Sequence, residues 1–168
     1  MPFPPFKRKI PRSARVALSE FLDDTTDATD NLLANPQGLL ESDSLKEARQ
    51  AWKDLKPDIR RVVKALEETG PEEPLASHGL SGFHFNFKRK VTANNYEKFT
   101  KAKGTAKAGY LQRFLGMAAA VWESFAEAIK HDPARLVKLT TAGRVAFEVA
   151  EHAVEFYKTL HAAVKGGE

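Results

Sequence analysis

Residues 43–70, DSLKEARQAWKDLKPDIRRVVKALEETG, contain the pattern that decides the fold of this chain. Their apolar side chains recur at alternating spacings of three and four, which predicts a helix with a narrow apolar seam, as in helical bundles and coiled coils. Asp43 or Ser44 can cap this helix and Gly70 ends it, while Pro57 either kinks it or begins a second short helix. The seam comprises Leu45, Ala48, Trp52, Leu55, Ile59, Val62 and Leu66.

Three more helices are predicted around this stretch. The first runs from a cap at Ser13 to about Leu33, and the others span about 105–130 and 134–164, where the apolar stripes are continuous. Because the link between the last two helices is only a few residues long, we expect them to form an antiparallel pair. The large side chains expected to be buried together are Trp52, Phe114, Trp122, Phe125, Val149 and Phe156.

Residues 83–91 carry a different pattern. Phe83, Phe85 and Phe87 alternate with polar residues, which is the period of a half-buried β-strand. A single strand leaves its backbone groups unpaired, so it requires a partner. The candidates for this partner are residues 75–80, the N-terminal arm, and the same segment of another subunit.

Together these patterns predict an all-α fold, a four-to-five-helix antiparallel bundle with one short extended segment near 83–91. The whole chain, 1–168, is expected to form a single helical domain. Its predicted parts are an extended N-terminal arm that four prolines keep out of a helix (1–11), a helical pair (13–69), a joint rich in Gly and Pro (70–82), an extended basic segment (83–104) and a helical hairpin (105–165).

Composition and motifs narrow the function. The 168 residues include no cysteine, which excludes disulfides, thiolate nucleophiles and cysteine-based metal sites. No apolar run approaches the roughly 20 residues of a membrane-spanning helix and no signal peptide is evident, so we expect a cytoplasmic location. The chain has neither a serine elbow nor a phosphate loop, and the carboxylates of its last two helices lie outside the apolar stripes. We therefore expect no enzyme activity, no catalytic residues, no cofactor and no metal site.

The charges of the chain fall in blocks. Residues 1–15 carry a net charge of +5, residues 16–50 carry −6, and residues 76–115 carry +7. Such blocks can meet an acidic partner, or they can meet each other inside the fold if the acidic first helix lies across the basic middle. Three acids of that helix share one face at helical spacing, and we expect this face to be solvated. They are Asp23, Asp27 and Asp30.

The basic middle segment is the positive indication of a ligand. Cations interleaved with Tyr96, Phe99 and Tyr110 are typical of nucleic-acid binding, in which phosphates are neutralised and bases stack on aromatic rings. Thr105 can cap a helix whose free amides would hold a phosphate. The candidate anion-binding and nucleic-acid-binding residues are Lys88, Arg89, Lys90, Lys98, Lys101, Lys103, Lys107 and Arg113.

The sequence favours a non-enzymatic protein–protein interaction module, an adaptor or assembly subunit that binds a protein partner or associates with itself. The narrow seam, the unpaired strand and the arm support this interpretation. The alternative is a sequence-nonspecific nucleic-acid-binding accessory protein that uses residues 88–113. A membrane-surface helical bundle is the lesser alternative, because neither apolar helix has a predominantly basic polar face. The candidate protein-interface residues are Phe3, Phe6, Phe83, Phe85 and Phe87.

Overall fold

The computed structural model describes residues 14–68, 82–131 and 141–165, and over these ranges the protein is all-α. No strand occurs in the ranges that are described. The predicted arm (1–11) and nearly all of the predicted joint (70–82) lie outside them. The helices are α1 (Ala14–Ala34), α2 (Ser42–Glu68), α3 (Gly82–Lys101), α4 (Thr105–His131) and α5 (Thr141–Ala163).

The contacts between these helices close into a ring. α1 packs against α2 and α3, α4 packs against α3 and α5, and α2 packs against α5. Buried side chains from all of them form one apolar cluster inside the ring. Because each helix contributes an apolar face to this cluster, the amphipathic periodicity of the sequence accounts for the arrangement. The largest fully buried aromatic side chains are Phe21, Phe99, Phe114, Trp122, Phe125 and Tyr157.

The helix predicted over residues 43–70 is confirmed, and so is its apolar seam. The seam residues are buried, except that the two nearest the helix start are partly buried. α2 is one helix that continues through Pro57. Proline has no N–H to donate to the carbonyl one turn earlier, but Pro57 is exposed, so water can reach that carbonyl. On the buried side, Trp52 stacks on Phe156 of α5 with ring centroids 5.1 Å apart.

The predicted core is also confirmed. The six large side chains expected to be buried together are exposed by 8% or less. Inside the ring, the Tyr157 hydroxyl lies 2.8 Å from Oγ1 of Thr29, a hydrogen bond that joins α5 to α1. Burial raises the pKa of Tyr157 above its usual value, and burial raises the pKa of Tyr96 to about 12. Both phenols are therefore neutral members of the core at physiological pH.

The prediction of an extended segment near 83–91, continuing to residue 104, is wrong. This part of the chain forms α3, and only residues 102–104 between α3 and α4 are non-helical. Gly104 takes a left-handed φ of 69° there, a conformation that glycine adopts without strain, and the chain turns into α4.

The physical reason for this error lies in the second half of α3. The phenylalanine alternation covers only five residues, whereas the buried residues that follow recur at the spacing of a helix. Extending a helix that is already packed adds one hydrogen bond per residue without a new nucleation cost, so helix continues back over the phenylalanines. The buried residues at helical spacing are Arg89, Thr92, Tyr96 and Phe99.

Candidate functional site

The acidic face of α1 lies beside α2 and is partly exposed to solvent. Arg60 donates hydrogen bonds to Asp23 and Asp27, and Lys56 Nζ lies 2.6 Å from Asp30 Oδ2. Partial burial lowers the pKa of Arg60, but the hydrogen bond to Asp27 and the charges of the three carboxylates outweigh it, and the pKa is raised. The predicted solvated face is therefore only partly solvated, because these carboxylates are 31–45% exposed and half-exposed bases of α2 complement them.

Arg89, one of the candidate anion-binding residues, lies inside the protein. Its side chain is 6% exposed, its Nη2 is 3.1 Å from Asp24 Oδ2, and its Nη1 is 3.4 Å from Glu20 Oε1. The acidic first helix does lie against the basic middle segment, and this buried ion pair is where the two blocks meet. Arg89 consequently joins α3 to α1 and is not available to an external phosphate.

Lys107 is also engaged within the fold. Its Nζ donates to the Phe99 backbone oxygen over 3.1 Å and to the side chain of Gln37, and it lies 5.3 Å from the centre of the Phe99 ring. These contacts tie the first turn of α4 to the end of α3 and to the loop between α1 and α2. Lys107 is therefore a structural residue, although the sequence grouped it with the surface cations.

The remaining cations lie along α3, the following loop and the early turns of α4, and we call the exposed ones the α3/α4 basic surface. Lys88 at its edge is half-buried. Tyr96 and Phe99, which were expected to stack on bases, are buried in the core. Tyr110 is half-buried, and its ring centre lies 5.6 Å from Lys98 Nζ. The α3/α4 basic surface comprises Lys90, Lys98, Lys101, Lys103 and Arg113.

Only part of the predicted phenylalanine interface can be located. Phe3 and Phe6 lie outside the described residues, and so do the side chains of Phe83 and Phe85. Phe87 is 59% exposed on the outer face of α3, which is the largest exposure of any large apolar side chain in the described residues. Of the five candidates, Phe87 is the one whose side chain is described, and it lies at the surface on a helix and not on a strand.

A groove between α2 and α5 is the feature that the sequence did not reveal. It encloses about 590 Å³ and runs along the first half of α2 and the second half of α5. The backbone N–H of Lys165 donates to the Leu39 oxygen over 2.8 Å, so the end of α5 lies beside the start of α2. We call this feature the α2/α5 groove.

Small side chains form the α2/α5 groove. Ala48 and Ala51 on α2 and Ala163 on α5 line it at positions where larger residues would fill the space between the helices. Below them, Leu55 and Phe156 close the floor, and both belong to the buried core. The groove is therefore an apolar surface that is continuous with the core but reachable from outside. Its signal in the sequence is a pair of alanines at the edge of the α2 seam.

The rim of the α2/α5 groove is acidic. Glu47, Asp54 and Asp58 stand on the α2 side and Glu155 on the α5 side, and no lysine or arginine lines the groove in the described part of the chain. Among these four carboxylates, Asp58 alone pairs with a described residue, Arg61. In contrast to the acids of α1, three of the four carboxylates at this rim, Glu47, Asp54 and Glu155, form no ion pair with a described residue.

The described residues contain neither a candidate metal site nor a candidate membrane-spanning helix. Across 14–68, 82–131 and 141–165, His, Asp and Glu side chains form no group of three or more that could hold a metal ion. None of the helices in these ranges combines the length and apolar character that crossing a membrane requires. No protein family, curated protein or solved structure matches the chain.

Proposed function

We propose that this protein is a non-enzymatic protein–protein interaction module, an adaptor or assembly subunit acting in the cytoplasm, and that the α2/α5 groove is its docking site. The proposal includes an antiparallel bundle as the scaffold. The observation that carries it is the apolar floor of the groove, which small residues leave open between two otherwise packed helices. Grooves of this kind are the surfaces on which partner helices dock.

A groove-filling substitution tests this function. The probe is a neutral sixteen-residue amphipathic helical peptide with leucines along one face and glutamines flanking them, labelled for fluorescence anisotropy. Ala51→Trp places a large side chain over the groove floor, and we expect it to weaken peptide binding by at least tenfold. Ala162→Trp is the matched control, because Ala162 is exposed on α5 but does not line the groove. Equal affinity of both variants and the unaltered protein would contradict the proposal.

A second candidate function is nucleic-acid binding at the α3/α4 basic surface. Five exposed cations lie there, and two of them, Lys98 and Arg113, lie 5.6 and 5.5 Å from the ring centre of the half-buried Tyr110. A single acid, Glu97, occurs in this part of the chain and pairs with Lys101 over 3.5 Å. Phosphate-driven binding weakens steeply with salt, whereas docking of an apolar helix changes little. We expect Lys98→Glu/Lys101→Glu/Lys103→Glu to abolish any binding of single-stranded RNA or DNA. An RNA affinity that does not fall with salt, or that survives these substitutions, would remove this candidate.

A further inference from the structure

We infer that the α2/α5 groove takes a basic amphipathic helix of about four turns, with apolar residues along its centre and lysine or arginine along both edges. This inference rests on the proposed docking function and adds the chemistry of the partner. Three properties of the groove support it, namely its length, its floor and its charge.

The length of the groove fits a helix. Its lining residues on α2 run from Ser44 to Asp58 and recur at spacings of three and four, so they form one continuous face of that helix. The helix rises about 21 Å over the fourteen steps from the first of these residues to the last, which is the length of about four helical turns. The lining residues of α5 run alongside from His152 to Ala163 with the same spacing. These two helices lie side by side and form the walls of a trough whose length suits a third helix.

The floor of the groove favours an aliphatic ridge on the partner. Ala51 is exposed, Ala48 and Ala163 are half-exposed, and Leu55 and Phe156 lie beneath them. Leucine side chains at i, i+3, i+4 and i+7 of a partner helix would enter this strip, which is the usual arrangement when a helix binds in a groove. Each apolar side chain removed from water there contributes to affinity in proportion to its buried area.

The charge of the rim favours lysine and arginine beside that ridge. Carboxylates stand on both walls, so a docked helix meets negative charge along each of its edges. A neighbouring groove of about 580 Å³ between α4 and α5 provides a contrast, because Lys130 and Lys158 line it together with acids, and Lys158 pairs with Glu123 over 3.3 Å. Complementary potentials select partners and speed their encounter. The α2/α5 groove is thus the one of the two that selects for a basic helix.

The experiment compares three sixteen-residue peptides that share one leucine face and differ only at the flanking positions, which are Lys, Gln or Glu. Their affinities for the full chain are measured by anisotropy at 50 and 300 mM salt. We expect the Lys peptide to bind at least tenfold more tightly than the Gln peptide at low salt, and the Glu peptide to bind most weakly. The advantage of the Lys peptide should shrink at high salt.

Charge-reversal variants locate the effect. Glu47→Lys/Asp54→Lys changes two carboxylates that line the α2/α5 groove and not the α4/α5 groove, and it should remove the advantage of the Lys peptide. Glu41→Lys/Glu148→Lys changes the net charge equally at exposed positions outside both grooves and should preserve most of the advantage. Glu47→Gln/Asp54→Asn provides a milder version of the same test if the charge-reversed variant does not fold. Circular dichroism verifies that each variant is helical.

The outcomes separate the inference from the proposed function. If the Gln peptide binds as tightly as the Lys peptide while Ala51→Trp still weakens both, the partner is not basic and the docking function stands. If no peptide binds, the docking function fails together with the inference. An equal loss in the control pair would mean that the Lys peptide responds to overall charge, which also overturns the inference. A concentration-dependent dimer that Ala51→Trp dissociates would make a second copy of this chain the occupant instead.

Discussion

Two acidic regions of this molecule differ in what meets their charge. On α1, Asp23, Asp27 and Asp30 face bases of α2, and deeper in the fold Asp24 faces Arg89. At the α2/α5 groove, four carboxylates surround an apolar floor, and no lysine or arginine among the described residues lines it. The first region uses its charge to join helices, whereas the second leaves its charge at the surface, where the proposed partner would meet it. The two regions should therefore respond differently to substitution.

The largest effect is expected at the buried ion pair. Arg89→Met removes the positive charge that pairs with the buried Asp24, and we expect it to cost about 3–5 kcal/mol of unfolding free energy. Chemical denaturation monitored by circular dichroism measures this loss. Glu20→Gln/Asp24→Asn/Arg89→Met removes the charges together and should be less destabilised than Arg89→Met alone. A loss below about 1 kcal/mol in Arg89→Met would show that the pair does not hold α3 against α1.

The next largest effect is expected from the ionisation of the two buried tyrosines, Tyr96 and Tyr157. In the unfolded chain a phenol loses its proton near pH 10, whereas Tyr96 keeps its proton to a pKa of about 12 and the pKa of Tyr157 is also raised. The unfolded state therefore binds fewer protons in this range, and stability falls as pH rises from about 10 to 12. Each tyrosine contributes a slope of about 1.4 kcal/mol per pH unit.

Phenylalanine variants test this linkage. Tyr96→Phe/Tyr157→Phe should flatten the decline in unfolding free energy between pH 10 and 11, relative to the unaltered protein. Denaturation at pH 9, 10 and 11 provides the comparison. An unchanged slope in the double variant would mean that these phenols are not buried as described.

A smaller effect is expected where the ion pairs are half-exposed. Arg60→Ala removes two pairs to α1 and should cost about 1 kcal/mol, because solvent screens charges at this depth. Arg61→Ala is the control on the same helix, since its pair with Asp58 stays within α2. We expect a change within about 0.5 kcal/mol for the control. Equal losses in the two variants would mean that the contacts between α1 and α2 do not depend on this charge.

The smallest effect is expected at the α3/α4 basic surface. Lys98→Glu/Lys101→Glu/Lys103→Glu should change stability by no more than about 0.5 kcal/mol, because these side chains are exposed. Lys107→Glu is the informative contrast, since it removes the hydrogen bonds to Phe99 and Gln37. We expect it to be more destabilising than the other three changes combined, as thermal unfolding would show.

The helices and the core were predictable because a long periodic pattern carries its own packing information. The apolar seam of α2 and the apolar stripes of α4 and α5 continue over many helical turns, and each therefore indicates which face of its helix is buried. The prediction for residues 83–91 failed because a short alternation of phenylalanines was given more weight than the helical period of the residues after it. The burial of Arg89 and the pairing of Asp27 depend on which faces of α2 and α3 pack against α1. The periodicity of a single sequence does not reveal how those faces pair.

The α2/α5 groove could not be predicted for a related reason. A groove arises from what two distant segments leave unfilled, and neither Ala51 on α2 nor Ala163 on α5 is unusual within its own helix. Glu155 and Asp54 likewise read as ordinary surface acids until the fold places them on opposite walls of one groove. The sequence therefore indicated an interaction module from other residues, and the surface proposed here comes from the structure.

Amide chemical-shift mapping tests the central claim most directly. The Lys-flanked peptide is titrated into the ¹⁵N-labelled full chain, and shift changes are recorded for every assigned amide. We predict that the largest changes fall on residues 44–58 of α2 and 152–163 of α5, with little change on residues 88–101 of α3. Changes centred on α3, or spread evenly over the acidic faces of α1 and α5, would contradict the claim that the α2/α5 groove is the docking site.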